Sequence, residues 1–158
     1  MQGITIGTAR AADLPALESL LAALFSIETD FQPDGERQRR GLALLIGDAE
    51  RAIVMTARDA AGTVVAMASA QLVVSTAEGA RSAWIEDVVV AEGFRSRGIG
   101  AALLSALLDW AHERGATRAQ LLADRTNAPA LDFYRRLGWQ STQLGAWRIA
   151  LSTTVVSE

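Results

Sequence analysis

The sequence predicts an α+β fold, a mostly antiparallel central sheet flanked by helices, in a single domain over residues 1–158. Three observations lead there. A length of 158 residues suffices to bury a core and falls short of two domains. Half of the residues are hydrophobic and 21% are charged, which is globular rather than disordered composition. The apolar periodicity also changes along the chain. It gives the order strand, two helices, three strands, helix, strand, helix, strands, which does not alternate as a doubly wound sheet would.

Ile4 and Ile6, set among polar residues, predict a first strand near residues 3–9. Asp13 is placed as a helix cap, with Pro15 in the first turn where its missing N–H costs little. Leu17, Leu20, Leu21 and Leu24 then recur at helical spacing to about Ile27. The polar stretch Glu28 to Arg40 breaks at Pro33 and Gly35, and a short helix through Leu42, Leu45 and Ile46 follows. Ala52 to Arg58 and Thr63 to Val74 flank Asp59-Ala60-Ala61-Gly62, which reads as a hairpin turn. Glu78-Gly79 supplies a second turn before a strand over Ser82 to Val90, completing an antiparallel meander. Ile99, Leu103, Leu107 and Trp110 mark a helix that ends near Gly115, and Arg118 to Ala123 forms a short strand. Asn127 caps a helix with Pro129 in its first turn and Ala130, Phe133, Tyr134 and Leu137 on its apolar face. Gly138 terminates that helix, and Trp139 to Leu144 pairs with Ala146 to Leu151 as a last hairpin.

Composition narrows the chemistry. The chain has no cysteine, so disulfides, thiolate metal sites and cysteine nucleophiles are excluded. His112 is the only histidine, which rules out a multi-histidine metal centre, and no metal is expected. A net charge of −3 argues against generic nucleic-acid binding. No apolar run approaches the roughly 20 residues of a membrane span, and Met1 to Arg10 lacks the apolar block of a secretory signal. The expectation is a soluble cytoplasmic protein with no membrane or nucleic-acid partner.

The strongest chemical signal lies between Val88 and Gly100. A hydrophobic strand, Val88-Val89-Val90, enters a loop carrying Arg95 and Arg97, and Gly98 and Gly100 open an amphipathic helix. The first N–H groups of a helix lack intrahelical partners, and the helix dipole adds positive potential there. Glycine lets an anion approach that backbone closely, so the segment suits a pyrophosphate. A Rossmann fingerprint would need a third glycine where Leu103 stands, and a P-loop would need a lysine, of which the chain has none.

Arg95-x-x-Gly98-x-Gly100 after a strand resembles the pyrophosphate motif of the GNAT acetyltransferase superfamily. Asn127, Ala130, Phe133-Tyr134 and Leu137-Gly138-Trp139 resemble that family's later motif in order and spacing. The resemblance implies a GNAT fold, in which splayed strands form an acetyl-CoA cleft, and acetyl-CoA as co-substrate. It implies that Val88, Val89 and Val90 lie along the pantetheine arm, with main-chain hydrogen bonds to it from Val88 and Val90. Arg95, Ser96, Arg97, Gly98, Ile99, Gly100 and Ala101 would wrap the pyrophosphate, and Asn127 would contact the cofactor, a role compatible with capping its helix. Tyr134 would protonate the departing thiolate; without the resemblance, a tyrosine on an apolar helix face reads as core.

An attacking alkylamine, with a pKa near the 10.4 of lysine, must lose a proton at neutral pH, so a base is needed. Glu86 and Asp87 are adjacent acids in an otherwise apolar strand and are expected to project from opposite faces, Glu86 with Val88 and Val90, Asp87 with Ile85 and Val89. Glu86 is read as the base and Asp87 as its support. Phe25, Glu28, Asp30 and Phe31 follow the first helix and suit a cationic acceptor. Arg37, Arg39 and Arg40 read as a solvated charged face, and His112 receives no role.

The reading is an acetyl-CoA-dependent N-acetyltransferase in which a primary amine attacks directly in a ternary complex. A small-molecule or peptide amine is the expected partner. Its identity stays open, as does the oligomeric state, a homodimer being the commonest closed assembly. The alternative is a catalytically silent GNAT-like module that binds acyl-CoA as a sensor.

Overall fold

The computed structural model describes residues 1–28 and 30–151. It comprises two compact units, Met1–Leu121 and Leu122–Glu158. The first unit is α+β, as expected. It holds strands β1 (Thr5–Thr8), β2 (Ala52–Arg58), β3 (Val64–Ser75), β4 (Ala80–Val90) and β5 (Ala116–Leu121). Its helices are α1 (Leu14–Ile27), α2 (Gly35–Gly47) and α3 (Ile99–Glu113). The strands form one sheet in the order β1-β2-β3-β4-β5. Every pairing is antiparallel except β4 with β5, which is parallel.

Local chemistry explains the element ends. Asp59 accepts hydrogen bonds from the N–H groups of Ala61 and Thr63 and closes the β2–β3 turn. Gly115 takes the left-handed conformation that ends α3, at φ 83°. Asp13 does occupy the N-cap position of α1, but its side chain does not cap that helix. Its Oδ2 instead accepts from the N–H of Arg10 at 2.7 Å and from Arg58 Nη2 at 2.6 Å, tying the entry of α1 to the end of β2. The second helix begins earlier than its apolar residues suggested, because Asp34 caps it through the N–H of Arg37. Arg37, Arg39 and Arg40 therefore lie on α2, where they pair with Asp34, Glu18 and Glu36 on the surface.

The sheet is buried on both faces. Leu17, Leu20 and Leu21 of α1 and Leu42 of α2 pack with Val54, Met67 and Val89 of the central strands. The alternate residues of β3, Ala66, Ala68 and Ala70, are fully buried on the other face, where small side chains admit a close helix. There α3 contributes Ile99, Leu103, Leu104, Leu107 and Trp110, all buried.

In the second unit, Asn127 accepts from the N–H of Ala130 at 3.2 Å and caps α4 (Ala128–Arg136). Gly138 ends it at φ 89°. The final hairpin expected over Trp139 to Leu151 is not formed, since residues 139–151 carry no strand. Trp147, Ile149 and Leu151 alternate as a strand would, yet they are 99%, 84% and 90% exposed. Alternation alone does not make a strand; the ladder needs a neighbour, and a face must be buried.

Candidate active site

Strand β4 has two different halves. From Arg81 to Ile85 it is paired on both sides, with β3 and with β5, the last β4–β5 partners being Ile85 and Leu121. From Glu86 to Val90 it pairs with β3 alone. The strand thus leaves its parallel neighbour at Glu86, which opens the main chain of Val88, Val89 and Val90 along one side.

At the same point the register slips. Met67 pairs with Val89 and Ser69 with Glu86, so Asp87 and Val88 together oppose Ala68 in a β-bulge. Asp87 has φ 55°, the left-handed conformation that such positions usually give to glycine. The extra residue corrects the expected facing. Cross-strand partners share a face, so Glu86 lies on the side of Ser69, Met67 and Val89, not with Val88 and Val90.

The bulge also separates the two acids by environment. Glu86 is exposed, and its Oε1 accepts from Trp84 Nε1 at 2.7 Å. Asp87 is half-buried, and that burial, with the negative charges of Glu86 and Glu28 nearby, pushes its carboxyl up to about 7. A hydrogen bond with the Ser69 side chain opposes the shift. The single Ser69 hydroxyl hydrogen is shared between that carboxyl and the Glu86 carbonyl, which lies 3.2 Å from Oγ, so Ser69 sits against the bulge.

Beyond Val90 the chain turns through a 3-10 turn, Glu92–Phe94, into the loop before α3. Ser96 at φ 60° and Gly98 at φ 78° are both left-handed, and Gly98 is the N-cap of α3. Alternating backbone signs of this kind turn successive N–H groups toward one concavity, and the free N–H groups at the start of α3 adjoin it. A Cβ at Gly98 would meet nothing within 4 Å, so the space above the turn is open. Arg95 and Arg97 flank it, Arg95 Nε donating to the Val90 carbonyl at 3.1 Å and Arg97 stacking 5.0 Å from the Phe94 ring centre. Two guanidinium groups and a ring of amides suit a diphosphate.

The acceptor residues are partly assembled. Phe25 and Phe31 stack with ring centres 5.4 Å apart, and Glu28, at the C-cap of α1, acts electrostatically on Asp87. Asp30 is exposed and is not among the groups acting on Asp87. In the second unit, Tyr134 sits between Phe133 and Trp139, with ring centres at 5.2 and 6.1 Å. His112 is exposed on α3. The bulge and Trp84's contact with Glu86 are what the sequence did not announce. The described residues hold no group of three side chains spaced to ligate a metal, and no described helix is long and apolar enough to cross a membrane.

A strand that parts from its parallel neighbour feeds a left-handed, arginine-flanked helix start, an arrangement with the charge and free amides that suit an anion. The chain belongs to the GNAT acetyltransferase family, whose model matches residues 15–139. It is 46% identical over 63 residues to streptothricin acetyltransferase of Streptomyces lavendulae, a match over 37% of this chain and 33% of that protein. It is 34% identical over 71 residues to the uncharacterized N-acetyltransferase MJ1207 of Methanocaldococcus jannaschii, over 45% of this chain and 31% of that one. The matched segments thus span about a third of the length of either relative. Among solved structures, a possible acetyltransferase from Clostridium difficile 630 shares the fold with a TM-score of 0.82 at 18% identity, covering 96% of this chain and 99% of that one.

Proposed function

We propose that residues 1–158 act as one N-acetyltransferase domain, moving acetyl from acetyl-CoA to a primary amine by direct attack. The observation that carries this is the course of β4, which leaves β5 after Ile85 and delivers the chain into the left-handed turn at Ser96 and Gly98. In this reading Arg95, Ser96, Arg97, Gly98, Ile99, Gly100 and Ala101 hold the diphosphate. The main chain of Val88 to Val90 aligns the pantetheine arm, and a backbone N–H there polarises the thioester carbonyl. Asn127 and Tyr134 enter through the family motif, Asn127 as a cofactor contact and Tyr134 as the acid that protonates the departing thiolate. One of the adjacent carboxylates, Glu86 or Asp87, receives the proton that the amine sheds.

A small-molecule acceptor is supported by the relative named for streptothricin. Glu28 and Asp30 beside the Phe25–Phe31 pair supply the negative charge and apolar surface that an ammonium-bearing acceptor needs. The cytoplasm and an absence of nucleic-acid partners accord with this reading.

A thermal-shift comparison of acetyl-CoA, CoA, ATP and NAD, followed by thiol release across an amine panel, tests it. Acetyl-CoA and CoA should raise Tm well above ATP or NAD, and at least one amine should release free thiol. A larger shift with ATP or NAD would sink the cofactor assignment. Saturable CoA binding with no thiol released by any amine would favour the silent binding module instead.

A further inference from the structure

Resting on the acetyltransferase reading, we infer that Asp87, and not its neighbour Glu86, is the group that takes the proton from the acceptor amine. Position is the first reason. Asp87 is the second residue past the last β4–β5 pair, and it immediately precedes the main chain of Val88 to Val90. The second reason is backbone conformation. A non-glycine residue at φ 55° in a strand costs on the order of 1–3 kcal/mol. Glycine would fill the bulge without that cost; aspartate, which tolerates this region better than most side chains, fills it while placing a carboxyl at the point where the strand leaves β5.

Commitment of the two acids is the third reason. Glu86 is exposed and already accepts a 2.7 Å hydrogen bond from Trp84, so it lies in high dielectric and is tied to the strand. Asp87 is half-buried, and no arginine figures among the groups that act on it. The groups facing it are Glu86 on β4, Glu28 at the end of α1 and the Ser69 hydroxyl on β3. Two are acidic and the third is neutral, so nothing in this set holds the carboxylate in its charged form as an ion pair would. Its raised pKa, about 7, brings the carboxyl nearer to an alkylammonium than an ordinary aspartate at 3.8.

The step balances simply. The acceptor nitrogen forms the C–N bond as the C–S bond of the thioester breaks. Asp87 takes the proton that the ammonium must shed before attack and passes it to solvent. The second nitrogen proton leaves to solvent as the amide forms, and Tyr134, having protonated the leaving thiolate in the proposed reading, is reprotonated from solvent, so that one proton is released net. Glu86 and Glu28 act on the acceptor's positive charge and on the proton affinity of Asp87.

The test compares D87N, E86Q and E28Q in the full chain, with acetyl-CoA thermal shift as the check on folding and cofactor binding. Asparagine tolerates the left-handed conformation as aspartate does, so D87N keeps the bulge. D87N should lower kcat by about 100-fold or more while keeping the acetyl-CoA shift. E86Q, which also removes a negative neighbour of Asp87, should raise acceptor KM a few-fold and move the acid limb to lower pH, with a loss of kcat at least tenfold smaller than that of D87N. The acid limb of kcat/KM in the wild type should lie near pH 7, and E28Q should move it to lower pH, because one negative neighbour of Asp87 is gone. If kcat of D87N stays within threefold, or E86Q loses kcat as D87N does, the assignment is overturned while acetyl transfer stands. If the wild type neither binds acetyl-CoA nor releases thiol, the parent reading falls and takes this one with it.

Discussion

The two halves of β4 are built for opposite purposes. Residues 81–85 are clamped between β3 and β5, and Ile85 there is 1% exposed. Residues 86–90 have one neighbour, a bulge, a left-handed aspartate and a half-buried carboxyl. The first half stabilises the fold, and its polar side chains, Arg81, Ser82 and Trp84, are engaged in hydrogen bonds within the first unit. The second departs from regular strand geometry at Asp87, which is where the proposed proton transfer falls. Strain and unpaired charge are tolerated there because the neighbouring, regular segment anchors the strand on both sides.

That contrast yields three stability predictions. Ile85→Ala breaks the regular half: it should cost about 2–5 kcal/mol, read as a fall in Tm or in denaturant midpoint, with kcat per folded molecule within threefold of wild type. A large loss of kcat with small loss of stability would erase the division. Gly98→Ala has room for its methyl but not the backbone freedom, at φ 78°. It should cost about 1–2 kcal/mol and weaken acetyl-CoA binding, seen as a smaller ligand-induced shift. Asp87→Gly relieves the bulge, so it should raise stability by about 1 kcal/mol while abolishing acetyl transfer. A destabilised D87G would mean that the carboxyl holds the bulge together.

Asp87 also sets a sign for the pH dependence of stability. Burial raises its folded pKa from 3.8 to about 7, so between those values the folded chain holds a proton that the unfolded chain has shed. The contribution favours folding fully below pH 3.8 and is lost as pH rises toward 7. Chemical denaturation at a series of pH values should show D87N losing less stability than the wild type between pH 4 and pH 7. Parallel curves would remove the basis for the shift.

Much of this was legible in the sequence. Helical spacing of Leu17, Leu20 and Leu21 and of Ile99, Leu103 and Leu107 places α1 and α3 directly, since both bury one continuous stripe. The arginine–glycine loop is legible because left-handed turns and helix starts leave glycines behind. The bulge was not, because the residue in its left-handed position is Asp87 rather than glycine, and Ile85 to Val90 therefore reads as an uninterrupted strand. That single inserted residue reverses the facing expected for Glu86. The last hairpin failed for a different reason: Trp147, Ile149 and Leu151 have the right period, but pairing partners are not written in a segment's own pattern.

The most direct measurement is the titration of the Asp87 carboxyl carbon by NMR in the folded protein, assigned by its loss in D87N. A midpoint near 7 that coincides with the acid limb of kcat/KM is the predicted result. A midpoint near 4, with the kinetic limb elsewhere, would contradict the account.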